Sequence, residues 1–101
     1  MPPNQSFVIA FIDLPEDRIA TLGTPIQTVK YASIAAAKRA IVGAMAGDLE
    51  ENLASMATIK EDDRIHRKTH RWYVYEDQEQ ADDDRNRTGT FALACIERAG
   101  D

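Results

Sequence analysis

In residues 33–56 the large apolar side chains fall at Ile34, Ile41, Met45, Leu49, Leu53 and Met56, with Ala37 filling the first gap. Steps of three, four and seven residues make one stripe on a helix, and Lys38, Arg39, Glu50, Glu51 and Asn52 fall on the other side. The pattern predicts a long helix over 33–56, with Ser33 as its N-cap. Unbroken, about 24 residues would reach roughly 36 Å, more than a small domain usually needs. A break is therefore expected at Gly47-Asp48, where Gly suits a C-terminal cap and Asp48 with Glu51 reads as a capping box.

The remaining periodicities are shorter. Residues 6–14 form a nearly continuous apolar run rich in β-branched and aromatic side chains, which predicts a central strand covered on both faces. Pro15 ends it. Residues 15–23 admit two readings: a short helix or 3₁₀ turn opened by Pro15, Glu16 and Asp17 and stopped at Gly23, or a loose hairpin arm carrying Ile19 and Leu22. Residues 26–31 alternate well enough to predict a second strand. A third is predicted over 64–76, with Trp72 and Val74 on one face and Tyr73 and Tyr75 on the other. Residues 77–88 are so polar and acidic that a long loop is expected. The last strand, 89–97, places Phe91, Leu93 and Cys95 opposite Ala92, Ala94 and Ile96, and looks central. Together these elements predict an α+β sandwich. About four mainly antiparallel strands form the sheet, with the long helix on one face.

Composition narrows the function more than the fold. With 101 residues and 44% hydrophobic content, one core and a single domain are expected. The longest apolar run is far too short for a membrane span, and the first residues lack the basic lead of a signal peptide. A soluble cytoplasmic protein, monomeric or homodimeric, is the expectation. The one cysteine, Cys95, lies between Ala94 and Ile96 and reads as a small buried residue rather than a nucleophile. The net charge of −5 disfavours binding to duplex nucleic acid.

Candidate chemistry is sparse. His66 and His70 have the i, i+4 spacing of zinc ligands on a helix, but on a strand they stand about 13 Å apart. Asp82-Asp83-Asp84-Arg85-Asn86 resembles the start of a calcium loop, yet Arg87 stands where Gly is required and Leu93 where the bidentate Glu belongs. No Gly-rich phosphate loop occurs, and no nucleophile has a base partner in sequence. Neither a metal, a cofactor nor an enzymatic activity is expected.

Charge is segregated, however. Arg64, Arg67, Lys68 and Arg71 run directly into Trp72, Tyr73 and Tyr75. A basic strand with aromatic residues suits a single-stranded nucleic-acid platform, on which Tyr73 and Tyr75 stack bases. Two acidic clusters flank it: Glu61, Asp62 and Asp63 before, and Glu76, Asp77, Glu79, Asp82, Asp83 and Asp84 after. Acids this close would repel a phosphate backbone, whereas they suit a protein partner with a basic surface. The preferred expectation is a non-enzymatic acidic module that inhibits or regulates such a partner through those nine residues. In size and charge balance the chain is similar to small phage or mobile-element inhibitors, including anti-CRISPR proteins that occupy nucleic-acid-binding surfaces. That likeness rests on composition and has no motif behind it.

Overall fold

A computed structural model describes residues 6–45, 71–84 and 89–99 with their side chains, and residues 57–60 as backbone. Strand β1 (Phe7–Ile12) is followed by helix α1 (Glu16–Ile19), two 3₁₀ turns (Ala20–Leu22 and Ile26–Thr28) and helix α2 (Ile34–Ala44). Then come β2 (Ala57–Lys60), β3 (Arg71–Tyr75), helix α3 (Gln78–Asp83) and β4 (Ala94–Arg98). Strands β1, β4 and β3 lie side by side in that order, each antiparallel to its neighbour, and the backbone of β2 runs antiparallel along the other side of β3. The protein is thus a small α+β domain built on an antiparallel sheet.

Helix α2 begins where the capping chemistry predicts. The Ser33 Oγ accepts a 3.0 Å hydrogen bond from the Ala36 amide, satisfying one of the donors that a helix start leaves open. Its inward stripe is Ala37, Ile41 and Met45, all buried, with Ile34 and Val42 at the margins. The stripe packs on the face of the sheet that carries Ile9, Val74, Ala94 and Ile96. Trp72 joins the same side, edge-on to Phe7 with ring centroids 5.7 Å apart. The helix as described ends at Ala44, with Met45 as its C-cap. The continuation expected through Leu49, Leu53 and Met56, and the break at Gly47-Asp48, lie outside the described residues.

The last strand is shorter than the 89–97 expected. It spans Ala94–Arg98, because the chain turns before it, the Ala92 amide donating to the Gly89 carbonyl. This sets Leu93 on the α2 side and Ala92 with Cys95 on the other, the reverse of the expected faces. Three further expectations need correction. The first strand is not central: β4 takes the middle, and β1 is the outermost strand on its side among the described residues. Its apolar run contains an irregularity between Ile9 and Phe11, which keeps Phe7, Ile9 and Ile12 all on the α2 side and turns Ala10 and Phe11 to the other. Second, residues 26–31 are not a strand. After Pro25 the Thr28 and Val29 amides donate to the carbonyls of Pro25 and Ile26, so the backbone satisfies itself in a 3₁₀ turn. The main chain of the segment pairs with β1 only at Tyr31, which exchanges two hydrogen bonds with Phe7 at 2.8 and 2.9 Å. Gln27 adds one from its side-chain amide to the Ala10 carbonyl. Of the two readings for 15–23, the helical one is observed, as α1 continued by the first 3₁₀ turn.

The third correction concerns the face of the sheet away from α2, which carries its own core. Tyr73, Tyr75 and Cys95 are buried there beneath Ala81 of α3. Residues 78–83 form a helix where a loop was expected, for reasons that lie within the segment itself. The Asp77 carboxylate accepts from the Gln80 amide at 2.9 Å, capping the helix. The Gln78 amide donates to the Asp82 carboxylate one turn on.

Candidate functional site

Two groups of side chains stand out on the α3 side of the sheet. One is α3 itself. Glu79, Asp82 and Asp83 are exposed and spaced three and four residues apart, so they share the solvent side of the helix. Their support is built from other acids of the same segment. Asp77 is spent on the cap, and Asp84 is a buried structural carboxylate at 4% exposure. Asp84 Oδ2 accepts from the Tyr75 hydroxyl at 2.6 Å and from the Gly89 amide at 2.8 Å. It therefore belongs to the core and not to an exposed loop, which corrects its expected place among the partner-facing acids. Glu76 is half-buried. Glu61, Asp62 and Asp63 lie outside the described residues, as do Arg64, Arg67, Lys68 and both histidines. The calcium-loop reading loses its geometry, because Asp82 and Asp83 are helical and Asp84 faces inward.

The second group surrounds Arg71. Its Nε donates to Glu97 Oε2 at 3.1 Å across the β3–β4 pair, and both side chains are partly exposed. A hydrogen bond with Tyr73 and the charge of Glu97 raise the Arg71 pKa above its ordinary value, against the opposing effect of burial. Tyr73 and Tyr75, expected as stacking rings, are 3% and 0% exposed. A ring so enclosed offers no face to a base, so the aromatic half of the nucleic-acid platform is not presented in this fold. Beside Arg71 the sheet surface sinks into an open dent of about 230 Å³ lined by Ala10, Phe11, Tyr73, Gly89, Cys95 and Glu97. Cys95 forms part of its floor and is buried, as its neighbours in sequence implied.

The residues that sequence reasoning missed are Asp77, Asp84 and Gly89 as structural groups. The Asp77-x-x-Gln80 spacing was a legible capping signal. Nothing in the local pattern announced that Asp84 would turn inward toward Tyr75. Among the described residues no group of three histidine, cysteine or acidic side chains is arranged to hold a metal ion, and no helix is long and apolar enough to cross a membrane. Comparison of the chain with protein-family models, with curated proteins and with solved structures finds no significant match in any of the three.

Proposed function

We propose that the protein is a non-enzymatic acidic binding module that inhibits or regulates a protein partner by occupying a basic, nucleic-acid-binding surface, in the manner of small phage or mobile-element anti-defence proteins of the anti-CRISPR kind. The observation that carries this reading is the acid row Glu79, Asp82 and Asp83 on a helix tied down from beneath by Ala81, the Asp77 cap and the Asp84 clasp. Exposed charge on a fixed support acts at long range without the ordering cost of a floppy loop, which favours fast, salt-sensitive association. Nucleic acid is not the ligand we propose, because the net charge is negative and the tyrosines that would stack bases are buried.

The test compares the parent with a triple variant, Glu79→Gln, Asp82→Asn and Asp83→Asn, against the co-purified partner across a salt series. Association of the variant should slow by roughly tenfold and lose most of its salt dependence. Equal association rates for the two proteins would move the working surface elsewhere, first to the exposed Arg39 side of α2.

A further inference from the structure

The dent beside Arg71 is made by a contrast of side-chain sizes. Ala10, Cys95 and Gly89 leave its floor low, while Phe11, Arg71 and Glu97 stand around it. The irregularity in β1 sends Ala10 and Phe11 to this side of the sheet, and α3 packs on β3 and β2 at the other end. Phe11 is in consequence 41% exposed, one of two large apolar side chains so exposed among the described residues. At about 230 Å³ the dent is smaller than the roughly 300–1,000 Å³ of small-molecule sites, and matches one long side chain rather than a cofactor.

Its chemistry selects the side chain. An accessible aromatic ring beside a carboxylate holds a planar cation twice, through the face of the ring and through a charge-assisted hydrogen bond. Glu97 engages Arg71 through Oε2, and among the described residues its Oε1 accepts nothing. One carboxylate bridging two guanidinium groups uses both oxygens. Within the dent the charges of Arg71 and Glu97 offset one another, so the sign of the ligand is taken from the wider field. The chain carries −5, and the exposed acids of α3 stand on the same side of the sheet, which favours a cation over an anion. A planar guanidinium fits ring and carboxylate together better than the compact ammonium of lysine.

We propose that this dent is the seat of an arginine side chain presented by the protein partner, stacked on Phe11 and hydrogen-bonded to Glu97. This names the partner residue and rests on the reading of the domain as a binder of basic proteins, but it is tested without that partner. The full-length protein, labelled with ¹⁵N, is titrated with N-acetyl-arginine methylamide and, separately, with the uncharged citrulline and the lysine analogues. Saturable shifts are expected at the amides of Phe11, Gly89, Cys95 and Glu97 with the arginine compound, weaker ones with lysine and none with citrulline. Glu97→Gln should weaken binding by roughly tenfold, since a neutral acceptor replaces a charged one, and Phe11→Ala by several-fold. Both side chains are partly exposed, and an otherwise unchanged amide spectrum verifies that each variant is folded. Absence of saturable shifts at those amides, equal response to citrulline, or undiminished binding by Glu97→Gln each overturns the proposal. If arginine binds here while the α3 variant associates like the parent, the dent stands and the acid-row reading falls; the converse result separates them the other way.

Discussion

The hydroxyl of Tyr75 and the amide of Gly89 share a single acceptor, Oδ2 of Asp84, at 2.6 and 2.8 Å. One oxygen therefore joins the end of β3, the end of α3 and the approach to β4, in a place where Tyr75 has no exposed surface and Asp84 has 4%. Removing it takes the acceptor from two donors at once. Asp84→Ala should cost on the order of 3 kcal/mol, while Asp82→Ala and Asp83→Ala stay within about 0.5 kcal/mol. Urea denaturation of the three single variants decides the matter, and equal midpoints would mean that the clasp contributes nothing.

Ile41 is fully buried between α2 and the sheet. Ile41→Ala should lose about 2–5 kcal/mol by transfer and cavity terms together. Ile41→Asp places a charge where no partner exists among the described residues and should unfold the domain. A mutant with the parent's melting curve would show that the helix does not face the core.

Two glycines should respond with opposite signs. Gly89 has φ of +81°, and a Cβ there would stand 2.6 Å from Cε1 of the Tyr73 ring, so Gly89→Ala meets both strain and a clash and should cost about 1–3 kcal/mol. Gly43 lies in α2 with open space around its would-be Cβ, and Gly43→Ala should add about 0.4–1 kcal/mol. Thermal melting of the pair checks both the loop geometry and the extent of the helix. Two shifts of the same sign would refute one of the two assignments.

Burial raises the Tyr31 phenol above its ordinary pKa of 10.0. The folded chain then holds that proton more tightly than the unfolded chain. Its contribution is intact below the ordinary phenol range and declines as pH climbs through the raised folded value. Tyr31→Phe, which leaves the main-chain pairing with Phe7 in place, should flatten the loss of stability above pH 10. An unchanged alkaline slope would assign that loss to other groups.

Much of the α2 side of the fold was legible in the sequence, because its signals are local and redundant: a stripe of Ala37, Ile41 and Met45, a serine at the cap, and period-two alternation that sorted Val74 from Tyr73. The opposite side was misread for a physical reason. A six-residue helix that touches the core through Ala81 alone shows almost no hydrophobic period, so its composition resembles that of a loop. Likewise 26–31 has strand-like alternation, yet Pro25 starts a turn whose hydrogen bonds are local, and alternation carries no information about where a backbone finds its partners. Of the nine acids expected to face a partner, Glu79, Asp82 and Asp83 stand exposed on α3, while Asp77 and Asp84 serve the fold. Charge alone does not distinguish a carboxylate that meets solvent from one that holds a tyrosine.

The outer rim of β1 is where a second extended chain would add to this sheet. Tyr31 already occupies both main-chain groups of Phe7, Gln27 takes the Ala10 carbonyl, and the irregularity at the same point interrupts the regular ladder that an incoming strand needs. Strand addition on that side is therefore opposed by the chain's own turn, which takes the main-chain groups an incoming strand would pair with.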